Sequence, residues 1–465
     1  MLRILGSPKT LCHGLTRRDM LQIGSLATLG LSLPDWWRRR SLQAAPRRPS
    51  GLPGFGKAKS CILLFLYGSP SQLETFDVKP DAPPEIRGEF GTIPSSIPGY
   101  RVGELLPETS KVMHLTTVLR SVTHPYPIHG VAYATTGVDS IDVPMELNPR
   151  DPRHYPFIGS VVEFLTENHA DARRRAPTNI ALPWPMSSRR VGEVARAGPY
   201  AAFLGGAYHP KWTEFRGEAT RNWVKTLQAQ RFEGGEPYMG ITPESRFELA
   251  ESTDLNGTMT LDRLNRRRSL LQQFDDSRRD LQRSETAASH DRFRQMAYDL
   301  IGSPTVRQAL DIQREPRSVR ESYGMTLFGQ ACLAARRLVE AGSRFVTVFW
   351  DEFGLAGSGW DTHWNHFARM KEELCPGFDR GFAGLIRDLN QRGLLDETLV
   401  VCLSEHGRTP KITTGDGGGR DHWSQCYSVV LAGGGVCRGG IIGKSDRIAA
   451  TVAERPISPK DILAP

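Results

Sequence analysis

The sequence predicts an α/β protein, a mostly parallel sheet with helices on both faces. Three observations carry this. Continuous apolar runs of strand length recur along the chain, as strands buried on both faces require. In the C-terminal half they alternate with helical patterns closed by glycine. Acid–histidine motifs stand just beyond the ends of these runs, where open α/β sheets place their ligands.

The first strand is the apolar run 60–67, broken at Gly68-Ser69-Pro70-Ser71-Gln72 by a tight turn. The Pro/Gly-rich stretch 80–107 reads as an ordered surface loop or a small hairpin. A short strand at 118–122 leads to His124-Pro125-Tyr126-Pro127-Ile128-His129-Gly130, and 130–137 begins a helix packed on the sheet. Residues from about 168 to 320 read as an irregular and helical insertion. Prolines and aromatics break up its first part, and Leu261, Leu264, Leu270, Leu271 and Phe274 then stand at helical spacing among charges. Regular alternation returns with a helix over 327–341 ended by Gly342, a strand over 345–350, a helix over 366–392 stopped by Gly393, and strands over 398–403 and 427–432. Gly433-Gly434-Gly435 lacks the Lys-Ser/Thr of a phosphate loop and reads as a turn after a strand. The segment 455–463 resembles the beginning of a final helix, so the domain is expected to be truncated at Pro465.

The N-terminus reads as a targeting signal. Thr16-Arg17-Arg18-Asp19-Met20-Leu21 presents a twin arginine before an apolar stretch over 21–33, too short to span a membrane, with small residues for cleavage near Ala44 and Ala45. Residues 1–45 are therefore expected to be a twin-arginine signal peptide, 46–465 the folded domain, and the protein periplasmic or secreted, with no transmembrane span after cleavage. The leader holds seven Lys or Arg against two acids, which leaves +3 of the chain's formal +8 for the remainder. That balance offers no electrostatic footprint for nucleic acid. Cys61, Cys332, Cys375, Cys402, Cys426 and Cys437 form no CxxC pair, which gives thiolate zinc and thioredoxin-type chemistry no support. A bridge between Cys426 and Cys437 stays open.

Chemistry concentrates in three short stretches. Trp360-Asp361-Thr362-His363-Trp364-Asn365-His366 follows the 345–350 strand after a Gly-rich loop; Ser404-Glu405-His406-Gly407-Arg408 follows the 398–403 strand; Gly419-Arg420-Asp421-His422-Trp423 precedes the 427–432 strand. Four of the twelve histidines lie here, beside carboxylates, and that mixture suits zinc, manganese or iron. The candidate metal ligands are Asp361, His363, His366, Glu405, His406 and His422. His363 and His366 are three apart and share a face on a starting helix, so one of them is a ligand and the other a supporting or helix-face residue. Each histidine alone is more simply a hydrogen-bonded polar residue; their recurrence at loop positions makes the case. Arg408 and Arg420 are candidates to hold an anionic group through planar donors, or else to pair with nearby carboxylates. His124 and His129 are candidate ligands or acid–base groups.

These motifs, with Gly68-Ser69-Pro70-Ser71-Gln72, Thr75-Phe76-Asp77-Val78-Lys79-Pro80 and Leu431-Ala432-Gly433-Gly434-Gly435, carry a resemblance from the twin arginine almost to the C-terminus. The chain resembles the 1501 family of domains of unknown function, which is similar to the alkaline phosphatase and sulfatase superfamily. The resemblance implies a three-layer α/β/α sandwich and metal-dependent hydrolysis of phosphate or sulfate esters. It implies a divalent metal (zinc, manganese or calcium) and an anionic ester substrate, a sulfated or phosphorylated glycan among the candidates. Asp361 with His363 or His366, then Glu405-His406, then His422 reproduce the superfamily's ligand order. Where the superfamily has an aspartate ending the first strand, this chain has Tyr67-Gly68, with Ser71 and Asp77 nearby as substitutes. The segment 121–137 holds no Cys-x-Pro-x-Arg motif, so a formylglycine sulfatase is not expected. The alternative is a catalytically degenerate member that binds envelope glycans or partners.

Overall fold

Strict alternation along the first strand sets the layers of the computed structural model, which describes residues 54–138, 142–149, 151–166, 176–186, 197–220, 224–226, 231–233, 239–249, 304–351, 359–415 and 417–463. Strand β1 (Ser60–Leu66) sends Ile62, Leu64 and Leu66 to one face of the sheet, and Leu63 and Phe65, followed by Tyr67, to the other. Successive side chains of a strand point to opposite faces, so one apolar run feeds two cores. Each fully buried aliphatic or aromatic side chain contributes about 1.5–3 kcal/mol relative to exposure.

Eight more strands complete the sheet: β2 (Thr116–Val122), β3 (Asn179–Leu182), β4 (Lys211–Arg216), β5 (Arg246–Leu249), β6 (Phe345–Trp350), β7 (Thr398–Leu403), β8 (Tyr427–Ala432) and β9 (Gly440–Ile442). Their order is β9-β2-β8-β7-β1-β6-β3-β4-β5. Strand β1 lies between β6 and β7, parallel to both, with Leu64 opposite Val348 on one side and Cys402 on the other. Only β8 and β5 run against the common direction. One face carries helices α1 (Pro107–Val112), α4 (Leu327–Glu340) and α5 (Cys375–Gln391); the other carries α2 (Val131–Thr136) and α3 (Ile158–Thr166). The fold is thus a three-layer α/β/α sandwich with a mostly parallel sheet.

Local chemistry explains the ends of the elements. Thr326 caps α4, its hydroxyl accepting from Gly329 N at 2.9 Å, a contact whose loss costs about 1 kcal/mol. After β8 the chain turns through Gly433, Gly434 and Gly435 at φ 66°, 55° and 92°, and a Cβ on Gly433 would lie 2.2 Å from Leu395 O. Three consecutive left-handed residues against backbone admit only glycine.

One feature differs from the sequence expectation. The stretch read as an irregular and helical insertion supplies β3, β4 and β5, three of the nine strands. They are four to six residues long, and β4 and β5 mix charged with apolar residues, so no continuous apolar run announced them. The helical pattern around Leu261 to Phe274 and the twin-arginine leader lie outside the described residues. The 80–107 stretch holds a small hairpin, Thr92–Pro94 against Arg101–Gly103. The six cysteines named above are all free, Cys426 and Cys437 included.

Candidate metal centre

Five loops converge at one edge of the sheet. Four follow the carboxyl ends of β1, β2, β6 and β7, and the fifth enters β8. Because β8 is antiparallel, its beginning lies at that same edge, which is how a motif preceding a strand joins motifs that follow strands. Backbone bonds lock the loops together: Trp360 N to Tyr67 O (3.0 Å), His124 N to Ser424 O (3.0 Å) and Arg420 N to Thr362 O (3.1 Å). A two-residue ribbon pairs Gly407 with Trp423 and Arg408 with His422.

Three imidazoles form the heart of the site. The His406 ring is completely buried; its Nδ1 donates to Gly407 O at 2.8 Å, leaving Nε2 buried with no hydrogen-bond partner. His422 donates from Nδ1 to Pro127 O at 3.2 Å, and its Nε2 is turned into the cluster, 3.1 Å from His363 Nε2 and 3.2 Å from Asp361 Oδ1. Burial, reinforced by neighbouring cations, pushes the His406 imidazole well below its ordinary range, and burial lowers that of His422 too, so both rings are neutral. A neutral imidazole whose other nitrogen is tied to a carbonyl is the form that binds a metal ion. His129, from the loop after β2, stacks on Tyr67 (centroids 5.0 Å apart, planes 19° apart) and completes the triad; ligand atoms of His129, His406 and His422 lie within 4.8 Å of one another. Burial would lower the His129 imidazole, but Asp361 and Glu405 raise it to about 9, so it carries a proton that a metal ion would have to displace.

Asp361 forms a second group with His363 and His422, again within 4.8 Å. Its carboxylate accepts from Arg408 at 2.5 Å and lies 3.0 Å from His363 Nε2, 3.2 Å from His422 Nε2 and 3.4 Å from His129 Nε2. Burial alone would raise that carboxyl, yet Arg408 and His129 hold it well below the usual range, so it is ionised. Asp421 steadies His363 from outside, 2.6 Å from Nδ1. The donors are imidazole nitrogen and carboxylate oxygen, and His406 Nε2 is a buried acceptor without a partner. These residues fit a divalent ion.

The remaining candidates have other partners. Glu405 adjoins the triad without belonging to either group: its Oε1 accepts from Gly68 N at 2.7 Å and from His129 Nδ1 at 2.9 Å, and its Oε2 is buried with no hydrogen-bond partner. His366 opens a helical turn (His366–Arg369) that begins only after His363, so the two do not share a helix face. Its ring is turned inward, with Nδ1 2.7 Å from Thr362 Oγ1 and Nε2 3.4 Å from Glu74. Arg420 is fully buried and its five N–H groups go to Glu74 and to the carbonyls of Thr409, Pro410 and Ile86, which leaves none for an anion. Arg408 is equally buried and spends its guanidinium on Asp361 and the carbonyls of Gly68, Ser69 and Arg420. Both ring nitrogens of His124 are taken by backbone, Nε2 donating to Glu405 O at 2.7 Å and Nδ1 accepting from Tyr126 N at 3.2 Å. Burial drives His124 down to about 4, so it is a neutral strut under Glu405. Ser71 is buried beside Glu74, and Asp77 pairs with Lys79 and Arg120.

Sequence reasoning overlooked Tyr67 as a platform, Ser69, Glu74 and Asp421. Ser69 takes φ 71° directly after β1, and its Oγ accepts from His406 N at 3.1 Å. Asp421 carried a signal, since it adjoins His422 within the 419–423 motif. Glu74 carried none, because its partner Arg420 is 346 residues away.

The family described as "Protein of unknown function (DUF1501)" matches residues 58–465. Among solved structures, Ps i-CgsB is similar to this chain both alone (12% identity, TM-score 0.36) and in complex with k-i-k-neocarrahexaose (11%, 0.35), each comparison covering 87% of this chain and 70% of that one. The PsFucS1 sulfatase from Pseudoalteromonas sp. is similar at 12% identity and TM-score 0.31, covering 92% of this chain and 69% of that one. No curated protein matches the sequence.

Proposed function

This chain belongs to the DUF1501 family of proteins of unknown function, and we propose that it is an exported, metal-dependent hydrolase of phosphate or sulfate esters. The observation that carries the proposal is the convergence of the unpartnered Nε2 of His406 with His422, His129, His363 and Asp361 at the carboxyl edge of the sheet. These residues would hold a divalent ion, whose contribution would be Lewis-acid polarisation of an ester oxygen and a lowered pKa for a water or hydroxyl nucleophile.

The chain's own groups have separable tasks. Asp361, kept ionised by Arg408, brings negative charge to the centre. Arg408 and Arg420 act as framework, fixing the turn after β1 and the ribbon of His422. His363 and His422 are the partly open residues of the cluster and face the approach of a substrate. His363, tied to Asp421, is the group placed to move a proton to a leaving group. No cysteine occurs between Ser121 and Gly137, so the proposed activity is independent of formylglycine. Export follows from Arg17 and Arg18 ahead of the 21–33 apolar stretch.

The test is a screen of aryl phosphates, phosphodiesters, aryl sulfates and sulfated glycans with metal-reconstituted protein, run beside Glu405→Ala and His422→Ala. Turnover in the wild type that disappears in both variants supports hydrolysis. A second reading, a non-catalytic member that binds envelope glycans, is favoured by the commitment of both arginines to protein acceptors. Full metal loading with no turnover in any ester class would establish it over the first.

A further inference from the structure

We propose that the centre's principal ion is held by three imidazoles, His129, His406 and His422, and that the site selects zinc-type transition ions over calcium and magnesium. This rests on the reading of the cluster as a metal centre and adds to it the ligand set and the class of ion. Ring packing is the first support: the centroids of His129, His406 and His422 are 4.3 to 5.6 Å apart, a closed triangle of rings. The second is that every non-ligating nitrogen already has an oxygen partner. Gly407 O and Pro127 O hold the Nδ1 atoms of His406 and His422, and Glu405 Oε1 holds that of His129.

Glu405 therefore acts through His129. A carboxylate on the far nitrogen of a ligating imidazole fixes its tautomer and orientation and strengthens it as a donor. Glu405 is itself aimed by Gly68 N, and His129 is backed by the ring of Tyr67. The end of β1 thus contributes an aromatic platform and a backbone N–H to the centre. The oxygen inventory decides the ion class. Calcium takes six to eight oxygen ligands, whereas here three nitrogens face one another and the carboxylate beside them, Asp361, 3.2 Å from His422 Nε2 and 3.4 Å from His129 Nε2, is shared with Arg408. Imidazole-rich donor sets suit zinc and cobalt.

The experiment loads the mature protein with cobalt(II), records its visible absorption, and titrates zinc, calcium or magnesium against it. Zinc should displace cobalt near equivalence, while a thousandfold excess of calcium or magnesium should not. His129→Ala should abolish the nitrogen-ligand absorption bands and weaken binding at least about a hundredfold. Glu405→Gln should keep the bands and weaken binding about 10–100-fold. Circular dichroism of the metal-free variants establishes that they fold; should His129→Ala not fold, His129→Gln replaces it with the same expected loss. Unchanged bands and affinity in a folded His129 variant would overturn the proposal, as would displacement of cobalt by calcium. Failure of ester turnover with His129-dependent metal removes the hydrolase and leaves this inference standing; turnover with metal indifferent to His129 does the reverse.

Discussion

Glu74, Arg420 and His366 form a buried charge group beneath the metal centre, and their behaviour separates framework from chemistry at the residue scale. Burial would raise the Glu74 carboxyl, but Arg420 and His366 hold it down to about 2. An unfolded Glu titrates near about 4.3, so the pair's stabilisation is complete above that pH and is lost as pH falls toward about 2. Chemical denaturation should show the stability gap between wild type and Glu74→Gln closing as pH drops through this window; a gap independent of pH would contradict the assignment. Arg420→Ala leaves a buried carboxylate without its cation and should cost about 3–5 kcal/mol. The sequence made His406, His422, His363 and Asp361 legible because acid–histidine motifs at loop positions are local signals. The partners of Glu405 and His366 were not legible, because side-chain direction depends on distant residues, Gly68 in one case and Glu74 in the other.

At the scale of elements, the turn after β1 governs the site. Gly68 has φ 90°, and a Cβ there would lie 2.4 Å from Asp361 N. Both the conformation and the contact exclude a side chain. Gly68→Ala should therefore cost about 1–3 kcal/mol and weaken metal retention, read by thermal melting with and without zinc; equal melting shifts on zinc addition in both proteins would mean that the turn does not organise the centre. Helices α4 and α5 and strands β1, β6, β7 and β8 were legible because long apolar runs and terminal glycines are strong signals. Strands β3, β4 and β5 were not, since short strands toward a sheet edge draw their identity from pairing with neighbours. The direction of β8 was equally hidden, yet it is what brings His422 to the others.

At the scale of the whole molecule, one edge of the sheet collects residues from 67 to 422 into a single centre, and export would carry it out already folded. Replacing Arg17 and Arg18 by Lys should leave the precursor in the cytoplasm, as fractionation and immunoblotting would show; unchanged export would remove the twin-arginine assignment. Among the described residues no helix is long and apolar enough to cross a membrane. The sandwich was legible from strand–helix alternation, whereas the convergence of five loops required the coordinates. The most direct test of that convergence is the metal content of the purified wild-type protein and of the His406→Ala/His422→Ala double variant, by elemental analysis after zinc loading and gel filtration. The metal-centre account predicts stoichiometric zinc in the wild type and none in a folded double variant. Equal zinc in both would contradict it.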